Sequence, residues 1–195
     1  MRESSRRAFI FGGAASVSAA VFFSVNKLAS YALAEPPEQE SAQSQVTVIE
    51  FDDEGRRLRA VTREKIRKTR DEWKKKLTLD SYRVTRLSGT EAPESGDLTH
   101  EHRAGIFRCI CCGNALFGSS TKFESGTGWP SFWAPIAVEN LYEKIDTSFA
   151  MVRREAKCTL CDAHLGHVFA DGPDPTGLRY CMNSVALRFC APITS

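Results

Sequence analysis

The sequence has very little net charge. Its 26 lysine and arginine residues nearly balance its 24 aspartate and glutamate residues, and the formal net charge at pH 7 is +2. Proteins that bind nucleic acid through its phosphates usually carry a clear excess of basic residues. We therefore expect no nucleic-acid partner. Hydrophobic residues make up 42% of the chain, which is enough to form a packed core.

Long amphipathic helices are missing from the sequence after residue 105, and its one internal repeat is a doubled Cys-x-x-Cys. This part of the chain consists of short strand-like segments that glycine and proline separate. We predict strands at 106–109, 115–117, 141–146, 149–157, 165–169 and 185–189. Short strands without helices between them predict a compact, mainly antiparallel β domain.

The residues ahead of this domain include a predicted hairpin. Segments 46–51 and 56–61 have strand-like composition and a turn between them, so we expect a small hairpin at the edge of the main domain. A loop-like segment follows at 90–105, where His100 and His102 have no cysteine at ligand spacing. We expect these two histidines to be exposed loop residues.

Residues 63–87 are predicted to be helical. Acidic residues precede basic ones within this segment, in the order that the helix dipole favours. A second short helix is expected to start near Thr78 and to stop by Gly89, with Leu79 and Tyr82 facing inward.

The first 34 residues have the features of an export signal. Ser5-Arg6-Arg7-Ala8-Phe9-Ile10 resembles a twin-arginine motif, and residues 8–26 carry no charge. Ala32-Leu33-Ala34 offers a site for signal peptidase before a polar, proline-bearing leader at 35–45. The alternative is a retained membrane anchor, because the uncharged stretch is nearly long enough to span a bilayer. We expect export by the twin-arginine machinery to the bacterial periplasm or cell envelope.

Four of the seven cysteines form two pairs, Cys109 with Cys112 and Cys158 with Cys161. Ligands spaced in this way allow a tight turn to direct both sulfurs to one ion. We expect one structural Zn²⁺ per chain, since four thiolates fill its tetrahedral shell and leave no position for water. Two disulfides are the alternative in an exported protein, but folding in the reducing cytosol before twin-arginine export favours zinc. Cys111 lies at the wrong spacing and is interpreted as a bystander.

Cys181 lies apart from these pairs and close to Arg179. A neighbouring cation lowers the pKa of a thiol and so increases its thiolate fraction, which makes it a nucleophile. His164 and His167 lie upstream and can donate a proton near neutral pH. Trp129 lies in a loop that contains glycine and proline, and its indole offers a flat apolar surface. Together these features indicate a reactive site.

In combination, five blocks of the sequence resemble the B-type methionine sulfoxide reductases, the peptide methionine-R-sulfoxide reductases. They are Cys109–Asn114 with Leu116-Phe117, Gly126–Phe132, Cys158–Cys161, His164–Phe169 and Gly177–Ser184. The resemblance covers about residues 70–191. It implies two packed antiparallel sheets with short N-terminal helices, a structural zinc remote from the active cysteine, and reduction of methionine-R-sulfoxide in oxidised proteins. The chain would divide into a signal peptide at 1–34, a flexible leader with the hairpin at 35–69 and a catalytic domain at 70–191.

The resemblance also implies roles for the matched residues. Cys181 would attack the sulfoxide sulfur and become a sulfenic acid, and Arg179 would favour its thiolate. His164 and His167 would hydrogen-bond or protonate the sulfoxide oxygen. The other assignments are Asn183, which would order the pocket, and Trp129 and Phe169, which would bind the substrate, with Trp129 holding its methyl group.

One position departs from the family pattern. Many members have a second, resolving cysteine in the loop where this chain has Thr127. Cys190 follows nine residues after Cys181, and in one extended strand the two would lie too far apart for a disulfide. We expect a single-cysteine cycle in which an external, thioredoxin-like reductant restores the thiol.

Two other functions compete with this interpretation. A zinc-ribbon protein-binding module without catalysis would contain the paired cysteines, but it would not need Cys181 or the His-x-x-His tract. A catalytic-zinc hydrolase or deaminase would need an open coordination position and a His-x-Glu signature, and neither is predicted here.

Overall fold

The computed structural model describes residues 44–148 and 151–192. Its strands are β1 Gln45–Phe51, β2 Arg57–Glu64, β3 Ile106–Cys109, β4 Ala115–Gly118, β5 Lys122–Phe123, β6 Ser131–Phe132, β7 Leu141–Asp146, β8 Arg153–Cys158, β9 His164–Phe169, β10 Arg179–Met182 and β11 Leu187–Cys190. Within the described ranges the α-helices are α1 Arg70–Lys76 and α2 Leu79–Leu87.

Every strand pair in these sheets is antiparallel. The larger sheet has six strands in the order β5-β6-β10-β9-β8-β7, the smaller has the order β11-β3-β4, and β1 and β2 form a separate hairpin. The predicted mainly β fold with short N-terminal helices is therefore confirmed.

Aromatic rings form the contact between the two larger sheets. Phe107 and Phe117 of the three-stranded sheet meet Phe132 of the six-stranded sheet, with ring centroids 4.9 Å and 4.3 Å apart. Tyr180 on β10 also packs against Phe117, with centroids 5.8 Å apart. Since all three phenylalanines are fully buried, this cluster forms the centre of the core.

The hairpin β1–β2 packs against the domain through one side of β1. Val46, Val48 and Ile49 are buried. The fully buried Asn140 side chain accepts a hydrogen bond from the Ile49 amide at 2.7 Å and donates to the carbonyls of Ile49 and Ala115 at 2.9 Å and 2.8 Å. One amide side chain thus joins β1 to β4. The hairpin is confirmed, and it is attached through the core as well as at the edge.

The helical region begins later than the predicted residue 63. β2 continues to Glu64, which pairs with Gln45, so the start of the predicted helix belongs to the hairpin. Helix α1 follows Thr69, whose side chain accepts from the Glu72 amide while the Glu72 carboxylate accepts from the Thr69 amide. This capping box sets the start of the helix.

Helix α2 starts after the N-cap residue Thr78, close to the predicted position. Tyr82 is buried as expected, but the prediction that Leu79 faces inward is wrong, because its side chain is 67% exposed. The buried face of α2 contains Ser81 and Thr85, one turn apart, and Leu79 lies on the other side of the helix.

The described strands differ from the predicted ones in several places. Strands β5 and β6 were not predicted, and β8 begins at Arg153. Residues 184–186 form a 3₁₀ turn, so the strand predicted at 185–189 starts at Leu187 instead. Strand β10 was absent from the predicted set although it carries Cys181. All four of its residues pair with β9, and Tyr180 and Cys181 also pair with β6. This long-range pairing stabilises a strand too short to be seen in the sequence.

In the described part of the chain, no helix has both the length and the apolar character that crossing a bilayer requires. The predicted signal peptide and nearly all of the predicted leader lie outside the described residues, as do residues 149 and 150 of the strand predicted at 149–157.

Candidate active site and cysteine cluster

The four paired cysteines converge as predicted. Their sulfur atoms all lie within 4.8 Å of one another. Cys109 Sγ is 3.7 Å from Cys161 Sγ, and Cys112 Sγ is 3.6 Å from Cys158 Sγ. A tetrahedral zinc with bonds of about 2.3 Å separates its sulfurs by about 3.8 Å, whereas a disulfide needs about 2.05 Å. These distances fit four ligands around one ion, and none of the four cysteines forms a disulfide in this structure.

Two equivalent turns present these sulfurs. Cys109 ends β3 and Cys158 ends β8. After each turn the chain passes through the left-handed region, at Gly113 with φ of 81° and at Asp162 with φ of 56°, and both amides donate to the first cysteine of the pair. Glycine adopts this conformation without steric cost. Cys111 is buried beside the first pair and is not part of the four-sulfur group.

Cys181 and His167 lie directly opposite each other on β10 and β9, and Ser131 is the partner of Cys181 on β6. Directly paired residues point to the same face of a sheet. The next pair on that face is Arg179 with Phe169. The sheet therefore brings together residues that are far apart in the sequence.

Arg179 is held from two directions. Its guanidinium donates two hydrogen bonds of 2.8 Å to the Asp171 carboxylate and lies 4.4 Å from the centre of the Phe169 ring. Phe169 therefore contacts Arg179. Its predicted role in binding the substrate stays a prediction. Asp171 had no assigned role in the sequence analysis, because nothing in the sequence pairs it with Arg179.

Burial raises the pKa of the Cys181 thiol above its usual value. The charge of Arg179 and hydrogen bonds from Thr127 and Arg179 lower this pKa, as predicted for the arginine, but they do not offset the loss of solvation. Cys181 is therefore mainly a thiol at neutral pH. Any nucleophilic step has to remove its proton first.

Two carboxylates orient the histidines. His164 Nδ1 lies 2.7 Å from Glu155 Oε1, and His167 Nε2 lies 2.9 Å from Asp146 Oδ2. The ring centroids of the two histidines are 5.3 Å apart. Among the described residues, the buried Nε2 of His164 has no hydrogen-bond partner. A buried polar atom without a partner is costly, so this nitrogen is a candidate contact for a ligand.

The environment keeps His167 neutral. Burial lowers its pKa, and the charge of Arg153 lowers it further, against the opposing effect of the hydrogen bond with Asp146. Hydrogen bonds from Ser148 and His167 hold the pKa of Asp146 well below its usual value. An ionised Asp146 accepts only, so His167 Nε2 carries the proton and Nδ1 retains a lone pair.

Burial raises the pKa of Glu155, but its hydrogen bond with His164 and the charge of Lys157 lower it more, so the net shift is downward. The result is an ionised carboxylate buried against an imidazole. Sequence reasoning found both histidines but neither Glu155 nor Asp146, since these acids lie on β8 and β7 and become neighbours only through sheet pairing.

A loop that contains Glu91 closes one end of the site. The Trp129 indole donates to the Glu91 carbonyl at 3.2 Å, and Asn183 Oδ1 accepts from the Glu91 amide at 2.9 Å. The Glu91 carboxylate accepts from the amides of Ser184 and Val185 at 2.6 Å and 3.0 Å. Glu91 was missed in the sequence, where it is one acid in a polar loop.

Asn183 also donates from Nδ2 to the Leu165 carbonyl at 3.0 Å. Both ends of its amide are therefore engaged by backbone groups, which fits a residue that orders the pocket. Three hydroxyl groups lie next to one another near Cys181, whose strand partner is Ser131. Ser125 Oγ is 2.8 Å from Thr127 Oγ1 and 2.7 Å from Ser131 Oγ.

Comparison with known proteins bears directly on this arrangement. The SelR domain matches residues 77–191. The chain belongs to the SelR-domain family of peptide methionine sulfoxide reductases. The segment matched by the domain begins at residue 77, so the hairpin β1–β2 and helix α1 lie outside it.

Curated relatives support this membership. Peptide methionine sulfoxide reductase MsrB of Hahella chejuensis is 55% identical over 126 residues, which are 65% of this chain and 91% of that protein. The protein of the same name from Pseudomonas putida F1 is 58% identical over 123 residues, 63% of this chain and 94% of that protein. That of Herminiimonas arsenicoxydans is 53% identical over 128 residues, 66% and 93% respectively.

The family is one of oxidoreductases, so the resemblance in the sequence is confirmed. A zinc-ribbon binding module without catalysis is not favoured.

The charges around Cys181 predict opposite effects of two substitutions. Arg179→Gln removes a charge that lowers the pKa of Cys181, so the pH at which iodoacetamide modification reaches half its maximal rate should rise. Asp171→Asn removes a charge that raises this pKa, so the midpoint should fall. The rates are followed by mass spectrometry of the peptide that contains Cys181. Shifts of the same sign in both variants would contradict this electrostatic account.

Proposed function

We propose that the chain reduces methionine-R-sulfoxide in oxidised proteins to methionine, with Cys181 as the nucleophile. The observation that carries the proposal is the shared face of β9 and β10, where Cys181 faces His167 and the buried Nε2 of His164 has no partner within the described structure. Membership of the peptide methionine sulfoxide reductase family supports it. The R stereochemistry rests on the resemblance to the B-type family.

The first step transfers the sulfoxide oxygen to Cys181. The thiol loses its proton, the thiolate attacks the sulfoxide sulfur, and the sulfur–oxygen bond of the substrate breaks as methionine leaves. Cys181 is oxidised by two electrons to a sulfenic acid, and the substrate is reduced by the same two electrons. The proton lost by the thiol is the proton that the oxygen gains, so the step is balanced without an additional acid.

The two histidines are suited to move that proton. His167 is neutral and its Nδ1 lone pair is available, so it can accept the proton of the opposing Cys181 thiol. His164 can direct its Nε2 to the sulfoxide oxygen, because the Glu155 carboxylate at Nδ1 orients the ring. Protonation of the oxygen makes the sulfoxide sulfur more electrophilic.

Trp129 and Phe169 are proposed to contact the substrate. The indole is oriented by its hydrogen bond to Glu91, so its flat face can hold the terminal methyl group of the substrate. Asn183 is a positioning residue in this scheme, because both ends of its amide contact backbone groups. Arg179 lowers the pKa of Cys181 and so reduces the cost of forming the thiolate.

The cycle is proposed to use one cysteine of this chain. Thr127, which lowers the pKa of Cys181, stands at the position where many family members have a resolving cysteine. Cys190 lies on β11 of the three-stranded sheet, and Cys111 is buried beside the cysteine cluster. An external dithiol of the thioredoxin type would reduce the sulfenic acid, becoming a disulfide and releasing water.

Cysteine variants test this cycle. Cys181→Ser should lower turnover of a methionine-R-sulfoxide peptide by at least ~10³-fold, because the nucleophile is lost. Cys190→Ser and Cys111→Ser should each keep steady-state turnover with thioredoxin and with dithiothreitol. The measurement uses separated R and S epimers, and the S epimer serves as the negative control. Turnover by Cys181→Ser, or loss of thioredoxin-linked turnover in Cys190→Ser, would contradict the single-cysteine cycle.

The four-cysteine cluster is proposed to hold one structural Zn²⁺, with Cys109, Cys112, Cys158 and Cys161 as ligands. The sulfur spacing and the closed ligand set support a stabilising ion that does not activate water. Asn114 Nδ2 contacts Cys158 Sγ at 3.6 Å and can donate to the bound thiolate.

Elemental analysis should find one zinc per chain. Cys158→Ser should abolish stoichiometric zinc and lower the melting temperature, since the binding free energy of a structural zinc contributes to folding. Cys190→Ser is the matched control and should retain both zinc and stability. A metal-free chain with full activity and unchanged melting temperature would refute the proposed ion.

Export through the twin-arginine machinery to the periplasm or cell envelope is proposed from the N-terminal sequence. The arginine pair Arg6-Arg7 and the Ala32-Leu33-Ala34 site support it. Replacing both arginines with lysine should leave the chain in the cytoplasm of a bacterial host that has this machinery. Cell fractionation and the mass of the N-terminus measure the outcome, and the Lys27→Gln variant is the control. Export of the double-lysine variant would contradict this route.

A further inference from the structure

A second group of potential metal ligands lies on the surface, apart from the cysteine cluster. His100, His102 and Glu124 are exposed, and one ligand atom from each lies within 4.8 Å of the others. His102 Nε2 is 3.6 Å from Glu124 Oε1, and His100 Nδ1 is 3.9 Å from Glu124 Oε2. The predicted exposure of the two histidines is confirmed, but they are not scattered loop residues.

A fourth residue orients one of these ligands. His100 Nε2 lies 3.0 Å from Glu94 Oε2, so Glu94 favours the tautomer that carries its proton on Nε2. The lone pair of Nδ1 is then available on the Glu124 side. A carboxylate behind a histidine is the usual outer partner of a metal-binding imidazole, where it sets both the tautomer and the ring direction.

The segments that carry these residues are joined by backbone contacts. The Glu94 amide donates to the Gly128 carbonyl at 2.8 Å, and the Thr99 hydroxyl lies 3.5 Å from the same carbonyl. Lys122 Nζ donates to the Thr99 carbonyl at 2.7 Å. Hydrogen bonds therefore join the segment 94–102 to the segment 122–128, and these two segments carry the exposed ligand side chains.

We propose that His100 Nδ1, His102 Nε2 and the Glu124 carboxylate form a binding site for a divalent transition-metal ion such as Zn²⁺. Two imidazoles with one carboxylate suit such ions better than Ca²⁺ or Mg²⁺, which prefer oxygen ligands. Around zinc, ligand atoms at bonds of 2.0–2.1 Å are about 3.3–3.4 Å apart, close to the observed 3.6 Å and 3.9 Å. Small rotations of exposed side chains close the difference, and water completes the shell.

One charge opposes the ion. Lys122 Nζ lies 3.3 Å from Glu124 Oε1 and competes for this carboxylate. Its other hydrogen bond, to the Thr99 carbonyl, keeps the ammonium in place when the ion occupies the carboxylate. We therefore expect this site to bind zinc more weakly than the closed four-cysteine site.

Calorimetric titration of Zn²⁺ into the full, reduced chain with its cysteine cluster already loaded tests the proposal. One further binding event is expected. His100→Ala with His102→Ala should abolish this event, and Glu94→Gln should weaken it by roughly 10-fold or more through the loss of the outer partner. Glu139→Gln, a matched change at an exposed acid away from the site, should leave it unchanged.

Cys181→Ser distinguishes this site from the reactive one, since it removes the thiol that could bind added zinc beside His164 and His167. The further event should persist in this variant. The proposal is overturned by the absence of a further event, by full affinity in the double-histidine variant, or by loss of the event in Cys181→Ser.

Discussion

The antiparallel register between β9 and β10 is the constraint on which the reactive site depends. It sets Cys181 opposite His167 and Arg179 opposite Phe169 on one face, while Tyr180 faces the aromatic core from the other. Because side chains alternate along a strand, a slip of one residue would turn Cys181 into the core and expose the tyrosine. The packing of Phe132 against Phe117 on the core side of the sheet opposes that slip. The aromatic core therefore helps to keep Cys181 opposite His167.

The cysteine cluster lies where the two larger sheets meet, and its cysteines come from both of them. Cys109 ends a strand of the three-stranded sheet, and Cys158 ends β8 of the six-stranded sheet. An ion held by both pairs would connect the two sheets. Since β8 pairs with β9, such an ion would lie one strand away from the histidines and would support the strand that carries Glu155, the partner of His164. Stability and catalysis share this strand.

Carboxylates give the site its electrostatic character. Glu155 and Asp146 orient one histidine each, Asp171 holds Arg179, and Glu91 binds the turn that follows Asn183. Each acid contacts a donor directly, which compensates for the cost of burying Glu155 and of partly burying Glu91 and Asp146, whereas Asp171 is exposed. Burial keeps Cys181 protonated against the influence of Arg179, and neutral His167 opposite it is able to take the proton. The reactivity of Cys181 thus depends on Arg179, on His167 and on the carboxylates that orient them.

The sequence by itself determined the parts of this protein that local chemistry encodes. The doubled Cys-x-x-Cys predicted the four-sulfur cluster, glycine and proline between short apolar runs predicted the β domain, and the blocks around Trp129 and Cys181 indicated the family. Tertiary structure alone decided the rest. Strand β10, the partners Glu155 and Asp146, the contact of Thr127 with Cys181, and the group around Glu124 all arise from pairing between distant segments. A sequence pattern reports spacing along the chain, whereas a pKa or a ligand set depends on distances across the sheets.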